Sequence, residues 1–247
     1  MDKLRHLHTI RVNKQEVKFI RYLYDKFPWN EKLTGIKGFR GVGKTTMILQ
    51  FIKNQYALSD NALYVSLDDL YFTENRLIDV VESFVVKGGE HIFIDEVHKY
   101  NNWAIELKNI YDTYDIKITF TGSSLLEILN SKADLSRRAL VFDMQGLSFR
   151  EYLALITDAT FPVFSLNEIL NNHKEIAIDI TSKLRVLKYY DDYLENGYYP
   201  FFYNNVEFYH FRLREIINMV IDIEFPQLKK NEYNYKIYKY NKNAITP

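Results

Sequence analysis

The fold of this chain is decided by the stretch from Gly38 to Thr46, which reads "GFRGVGKTT". It holds three of the nine glycines among 247 residues. Glycine tolerates positive φ and lets a ligand approach the backbone closely. A glycine cluster that runs directly into a lysine and two threonines therefore indicates a loop folded around a bound group.

The spacing Gly38-x-x-x-x-Gly43-Lys44-Thr45 fits the phosphate-binding loop pattern, with an apolar run before it and a helical pattern after it. Backbone N–H groups in such a loop face phosphate oxygens, Lys44 is expected to reach the β- and γ-phosphates, and the Thr45 hydroxyl is expected to bind Mg²⁺. The alternative is a glycine-rich turn with a surface lysine. The predicted nucleotide-contacting residues are Gly38, Arg40, Gly41, Val42, Gly43, Lys44, Thr45 and Thr46.

Short apolar runs alternate with helical patterns from about residue 32 to residue 152. The runs are "KLTGIKGF", "ALYVSL", "HIFID", "KITFTG" and "ALVFDM", and between them lie "KTTMILQFIKNQY", "ENRLIDVVESFVV", "WAIELKNIYDTY" and "SSLLEILN". Such alternation is typical of β-α units, in which helices cover both faces of a parallel sheet. The sequence therefore predicts a three-layer α/β fold.

The alternation stops after "LSFREYLALI", and the segments "SLNEIL", "AIDITSKLRVLKYYDDYLENG" and "FYHFRLREIINMVIDI" each have a helical pattern. We therefore expect a core over residues 1–146 and a helical unit over 147–225. The core would begin with a helix over "NKQEVKFIRYLYDKF" that ends at Pro28. Residues 226–247 are expected to form an edge strand or a tail.

The second motif is "HIFIDEVH", an apolar strand that ends in two carboxylates. Asp95 is placed to hold Mg²⁺, and Glu96 is placed to polarise a water for attack on the γ-phosphate. The competing interpretation is that the two acids only cap the following helix. The phosphate-loop pattern upstream favours the catalytic interpretation.

Two further segments carry candidate residues near the γ-phosphate. In "KITFTGSSLLEIL", Thr121 and Ser123 could contact the phosphate or the attacking water, with Ser124 as a weaker candidate, although a serine here could equally cap the next helix. In "DLSRRALVF", Arg137 or Arg138 could reach the γ-phosphate of a neighbouring subunit. The alternative for these two arginines is a solvated surface pair.

The bulk composition excludes several classes of protein. The 32 basic residues balance the 32 acidic ones, so no overall field attracts nucleic acid or an anionic membrane, and there is no cysteine for a disulfide or thiolate site. No apolar run approaches eighteen residues, so we expect a cytoplasmic protein without a membrane partner. His6, His8, His91 and His98 are expected at the surface rather than in a metal site. The Lys- and Tyr-rich tail is expected to bind single-stranded nucleic acid weakly at most.

Six segments together resemble the archaeal and bacterial AAA-type ATPases that carry a C-terminal domain of unknown function. They are "KGFRGVGKTT", "LYVSLDD", "IFIDEVHKYNNW", "ITFTGSSLLEI", "LSFREYL" and "YLENGYYP", and the resemblance spans about residues 10 to 215. It implies a P-loop core with a catalytic glutamate, sheet order 5-1-4-3-2 and a small helical lid. It also ranks Arg138 above Arg137, although Arg137 stands where the family usually has glycine. Members of that family run longer, and this chain lacks most of their C-terminal part.

The expected function is hydrolysis of ATP to ADP and phosphate with Mg²⁺, coupled to a conformational change. The catalytic set would be Lys44, Glu96, Ser123 and Arg138, with Thr45 and Asp95 at the metal. The alternative is a nucleotide-gated switch with little turnover. A small-molecule kinase is a less favoured third interpretation. A GTPase is disfavoured because no Asn-Lys-x-Asp motif follows the catalytic strands. Nucleotide is the expected partner, a homo-oligomer is possible, and any protein or DNA partner stays unidentified.

Overall fold

The centre of the protein is a five-stranded parallel sheet. The computed structural model describes residues 1–122, 135, 137–203 and 205–224. The strands are β1 (Leu33–Lys37), β2 (Ala62–Ser66), β3 (His91–Asp95), β4 (Lys117–Gly122) and β5 (Leu140–Asp143). Their order is β2-β3-β4-β1-β5, and every neighbouring pair is parallel. Counted from the other edge, this is the order 5-1-4-3-2 that the resemblance implied, so the predicted fold is confirmed.

Helices cover both faces of the sheet and continue after its last strand. They are α1 (Asp2–Lys14), α2 (Leu23–Lys26), α3 (Lys44–Gln55), α4 (Leu77–Val86), α5 (Trp103–Thr113), α6 (Phe149–Thr157), α7 (Leu166–Lys183), α8 (Tyr190–Asn196) and α9 (Tyr209–Met219). Alternate strand residues serve opposite faces, as the period of two requires. Ile92 and Ile94 pack with α4 and α5, whereas Phe93 packs with α3.

The N-terminal segment differs from the prediction. The expected helix over residues 13–27 is wrong, because α1 ends at Lys14 and only the single turn of α2 precedes Pro28. Side chains of α3 bind carbonyls of the intervening segment: Gln50 donates to the carbonyls of Glu16 and Phe19. The true helix escaped notice because its buried face, formed by Leu4, His8 and Val12, includes a histidine and so lacks an apolar stripe.

Side chains of α1 bind the outer edge of β2, which is the end strand of the sheet. His8 Nδ1 accepts a hydrogen bond from the backbone N–H of Tyr64 at 2.9 Å, and Arg5 donates one to the carbonyl of Ala62 at 2.8 Å. An edge strand presents backbone groups that no neighbouring strand satisfies. The side chains of α1 therefore take the place of a sixth strand.

The prediction of surface histidines is wrong for three of the four. His6 is exposed, but His8 and His91 are 3% and 0% exposed, and the His98 side chain is 4% exposed. Each buried ring makes polar contacts that offset its burial. His91, for example, contacts the hydroxyls of Tyr56 and Thr119 at 3.2 and 2.9 Å. Among the residues that the structure describes, no group of three His, Asp or Glu side chains is arranged to hold a metal ion.

The region after β5 is helical, as expected, but its helices begin and end elsewhere. One helix, α7, joins two segments that we expected to be separate, with a kink at Asn172, and it ends at Lys183 rather than continuing toward Gly197. None of its residues is buried. Of the helices in the described ranges, none is both long and apolar enough to span a membrane. Ser123, Ser124, the "SSLLEILN" helix and the 226–247 tail lie outside the described residues.

One buried guanidinium joins the phosphate loop to the first helix after the sheet. Arg21 is 4% exposed; its Nε donates to Glu151 Oε1 at 2.8 Å, and one Nη donates to the carbonyl of Val42. Its other Nη donates to the carbonyls of Gln145 and Gly146 at 2.8 and 2.9 Å. Burial alone would raise the pKa of Glu151, but the Arg21 charge and the hydrogen bonds around the carboxylate outweigh it and lower that pKa.

Replacing Arg21 with alanine should lower the free energy of unfolding by about 3–5 kcal/mol, because it leaves the buried Glu151 carboxylate without its countercharge. Urea denaturation followed by circular dichroism measures this loss. The double variant Arg21→Met, Glu151→Gln removes both charges and should lose less than the single variant. An Arg21→Ala protein that unfolds at the parent's urea concentration would show that the ion pair does not contribute to stability.

The buried His8 should make the fold sensitive to acid. Burial first, and then the Arg5 charge, lower the pKa of His8 to about 4 from the usual 6.5. Between these two values the unfolded chain binds a proton that the folded chain excludes, so stability falls as the pH falls, by up to about 1.4 kcal/mol per pH unit. His8→Gln keeps an acceptor for the Tyr64 N–H and should reduce this slope in urea titrations between pH 7 and 4.5. The part of the slope that remains would come from the buried His91 and His98, whose pKa values burial also lowers.

The exposed His6 on the same helix provides the matched control for that experiment. His6→Gln should keep the parent's dependence of stability on pH. If His8→Gln and the parent lost stability equally on acidification, His8 would not be the group responsible.

Candidate functional site

The glycine cluster forms the loop between β1 and α3. A Cβ at Gly38 would lie 2.2 Å from the carbonyl oxygen of Met144, so only glycine fits there. Gly43 has φ of 100°, a left-handed conformation that favours glycine, and it immediately precedes the first turn of α3. No side chain in the described part of the chain caps this helix N-terminus. Its first-turn amides therefore have the arrangement that suits an anion.

Lys44 is folded into the loop rather than displayed on the surface. The residue is buried, and its Nζ donates to the carbonyls of Gly38 and Phe39 at 2.8 and 3.0 Å. The alternative of a surface lysine is therefore wrong for this loop. The Lys44 ammonium group therefore lies at the base of the loop formed by the backbone of residues 38–43.

Asp95 lies at the end of β3 and accepts hydrogen bonds from hydroxyls on three other elements. Thr45 on α3 and Tyr64 on β2 donate to Oδ2 at 2.8 and 2.7 Å, and Thr121 on β4 donates to Oδ1. The carboxyl ends of parallel strands meet at one edge of the sheet, which is why these groups converge. The structure thus brings together the two predicted metal residues, Thr45 and Asp95.

Glu96 follows in a left-handed conformation, with φ of 54°. Its backbone N–H donates to Thr121 Oγ1 at 3.1 Å, and its carboxylate lies 3.3 Å from His98 Nε2. Burial, and then the neighbouring Asp95 charge, raise the pKa of Glu96. A desolvated position near a second carboxylate disfavours the ionised form of Glu96.

His98 was not among the predicted catalytic residues. Burial, and then the positive charges of Lys99 and Lys44, lower the pKa of His98 to about 4. The ring is therefore neutral near pH 7, so its 3.3 Å contact with the Glu96 carboxylate is not an ion pair. The only signal in the sequence was its place two residues after the Asp-Glu pair.

The helical region packs directly on the phosphate loop. Arg40 donates to Met219 Sδ at the end of α9. Above Gly41 lie the side chains of Phe201 and Ile216, which would be 3.1 and 3.4 Å from a Cβ at that position. Arg40 was predicted to contact nucleotide, but in this structure it contacts α9. Val42 is buried and Thr46 is exposed.

Arg138 lies away from this cluster. It stands two residues before β5, and therefore near the amino-terminal ends of the strands, whereas the phosphate loop lies at their carboxyl-terminal ends. It forms a bidentate ion pair with Asp112, at 2.9 and 3.0 Å, and lies over the ring of Tyr111. Arg137 is exposed. Neither arginine approaches the phosphate loop of its own chain. Of the hydroxyls predicted at the end of β4 and in the turn that follows, only that of Thr121 lies within the described residues, and it contacts both Asp95 and Glu96.

Tyr64 and Arg21 were missed by the sequence interpretation. Tyr64 follows two apolar residues in a largely apolar strand, where a tyrosine suggests packing rather than a polar contact. The available signal was its neighbourhood: a parallel β2-β3 pair places Ser66 beside Asp95, and thus Tyr64 on the same face of β2. No local pattern distinguishes Arg21 from a surface arginine.

Comparisons with known proteins agree with this geometry. The AAA domain family matches residues 30–153, which include the phosphate loop, Asp95, Glu96 and all five strands. An uncharacterized protein of Methanocaldococcus jannaschii, MJ1637, is 32% identical over 77% of this chain and 44% of its own length. A second one from that organism, MJ1544, is 26% identical over 68% of this chain and 36% of its own. The chain spans less than half the length of these curated relatives.

The solved structures found in the comparison share little sequence with this chain. A structure of the Saccharomyces cerevisiae Hsp104:casein complex has a TM-score of 0.44 at 18% identity, covering 60% of this chain and 31% of its own. Domain III of the Thermotoga maritima replication initiation protein DnaA has a TM-score of 0.39 at 16% identity, covering 59% of this chain and 75% of its own. The match of the AAA domain family over half of the chain, taken with the sheet order and the phosphate loop, shows that this chain belongs to that family.

Proposed function

We propose that this protein binds ATP with Mg²⁺ and hydrolyses it to ADP and phosphate. The observation that carries the proposal is the 2.8 Å hydrogen bond from Thr45 to Asp95, which joins the phosphate loop to the carboxylate at the end of β3. A hydroxyl and a carboxylate at this distance form an oxygen donor set of the kind that Mg²⁺ prefers. ATP is favoured over GTP because the sequence lacks a guanine-recognition motif.

The residues present fit a nucleotide phosphate and its cation. The cradle is formed by positions where a side chain would collide or be strained, the N-terminus of α3 is uncapped, and Lys44 supplies a buried positive charge. Thr45 and Asp95 would hold Mg²⁺, which when bound supplies neutralisation of the charge that develops on the phosphates. Lys44 would balance phosphate charge, and the loop amides would orient the phosphate chain.

Glu96 is the proposed base that takes a proton from the attacking water. Its backbone is fixed by Thr121 and its carboxylate by His98, so both ends of the residue are oriented before any substrate binds. A raised pKa makes a carboxylate a better proton acceptor when it is ionised. Ser123 stays a proposed contact for the γ-phosphate or the water, on the basis of the sequence.

The second candidate function, a nucleotide-gated switch with little turnover, is favoured by the contacts between the loop and the helical region. Because Arg40 contacts Met219 and Gly41 lies under Phe201, a group that enters the loop would disturb these contacts. Nucleotide occupancy would then change the position of α9 whether or not hydrolysis follows. The rate of steady-state phosphate release distinguishes the two functions.

Glu96→Gln should retain ATP binding but reduce the hydrolysis rate by roughly 100-fold or more, since the amide keeps the size of the side chain and loses its basicity. Lys44→Ala should abolish binding, and Asp95→Asn should weaken only the Mg²⁺-dependent part. Phosphate release and calorimetric ATP titrations measure both effects. Equal turnover by the parent and Glu96→Gln would rule out Glu96 as the base.

Arg138 is proposed to act on the nucleotide of a neighbouring subunit, because it lies far from the phosphate loop of its own chain. If so, the hydrolysis rate per subunit should rise with protein concentration, and Arg138→Ala should abolish that rise. Arg137→Ala is tested alongside it, because Arg137 is adjacent, exposed and the other candidate for this role. Loss of the rise in Arg137→Ala alone would assign the role to Arg137 instead. A rate per subunit that stays constant across dilution, with a monomer in light scattering, would contradict this role.

A further inference from the structure

A continuous line of hydrogen bonds connects α1 to the Asp95 carboxylate. Arg11 Nη1 donates to the Tyr64 hydroxyl at 3.1 Å, and that hydroxyl donates to Asp95 Oδ2 at 2.7 Å. The Arg11 guanidinium also lies 5.4 Å from the centre of the Tyr64 ring. Arg11 therefore fixes both the ring and the hydroxyl of Tyr64.

The Tyr64 hydroxyl acts on the same carboxylate oxygen as Thr45. In the proposed function Thr45 serves the cation, and the donors that would then continue to orient Asp95 are Tyr64 on Oδ2 and Thr121 on Oδ1. A carboxylate held by two hydroxyls loses little conformational freedom when it takes up a further partner. A charge on the donor side strengthens the bond, because Arg11 polarises the hydroxyl toward Asp95.

Packing alone does not require this hydroxyl. Tyr64 is 2% exposed, and its ring belongs to the apolar cluster under α3, which a phenylalanine would fill equally well. The attachment of α1 also has other contacts, such as the hydrogen bond from Tyr64 N to His8. The hydroxyl contributes what a phenylalanine lacks, namely a donor to Asp95 and an acceptor for Arg11.

We propose that Tyr64, supported by Arg11, is a positioning residue that holds Asp95 ready for the divalent cation, so that cation affinity depends on the docking of α1. This inference rests on the proposed function. It predicts a defect in the use of Mg²⁺ rather than in the binding of the nucleotide alone. Neither Tyr64 nor Arg11 needs to touch the nucleotide.

The test compares Tyr64→Phe and Arg11→Met with the parent. Binding of a fluorescent ADP is titrated at rising free Mg²⁺ and again in EDTA, which gives a readout independent of turnover. Tyr64→Phe should raise the Mg²⁺ concentration for half-maximal enhancement of binding roughly three- to tenfold, as expected for the loss of one hydrogen bond to a charged group. The affinity in EDTA should change less than twofold. Arg11→Met should shift the Mg²⁺ dependence in the same direction by a smaller factor.

Tyr56→Phe is the matched control, because the Tyr56 hydroxyl also contacts a buried partner, His91 Nδ1 at 3.2 Å, at the other end of the sheet. This variant should follow the parent in both titrations. A Tyr64→Phe variant with the parent's Mg²⁺ dependence would overturn the inference alone. So would equal losses of affinity with and without Mg²⁺, since these would indicate a general structural defect. A parent that binds ADP in neither condition would overturn the proposed function and this inference with it.

Discussion

The carboxylate of Asp95 is the point at which four elements of the fold meet. Asp95 is a residue of β3, and its carboxylate accepts hydrogen bonds from hydroxyl groups on α3, β2 and β4. Burying a carboxylate costs free energy unless hydrogen-bond donors satisfy its oxygens. The position of each of these elements therefore matters, because each supplies one of the donors that Asp95 requires. The parallel sheet makes the arrangement possible, because it ends neighbouring strands at one edge and places the first turn of α3 above that edge.

Two further contacts extend this arrangement beyond the sheet. Arg21 attaches the phosphate loop to the start of α6 through Glu151, and α1 attaches to β2 through His8 and Arg5. Each uses a charged or titratable side chain in a buried position, where an apolar residue would pack at lower cost. These hydrogen bonds are directional, whereas apolar contacts are not. Bonds to backbone carbonyls and amides therefore fix the register of the attached segment.

Most of the core could be predicted from the sequence because its signals are local. The five apolar runs, the loop pattern and the Asp-Glu pair can each be recognised within ten residues of sequence. All five strands and the helices α3, α4 and α5 lie where these patterns predicted them. The contacts of Tyr64 and Arg21 could not be read from any local pattern, since each joins residues that are distant in sequence and that the fold brings together. His98 contacts a residue only two positions away, but no motif marked that spacing. Helix α1 escaped because a buried polar group, His8, replaced one apolar residue of its inner face. The bounds of α7 and α8 were wrong because neither helix has a buried residue, so packing on the core does not set where these helices begin and end.

The way α1 covers β2 has a consequence for handling the protein. The backbone groups of Ala62 and Tyr64 that His8 and Arg5 satisfy are the same groups through which an unprotected strand joins a strand of another molecule. Any shortened version that starts after Lys14 would present this strand edge to its copies in solution. A gain of intermolecular β-sheet, and loss of protein to aggregates, would then follow from the removal of a helix that carries none of the proposed catalytic residues.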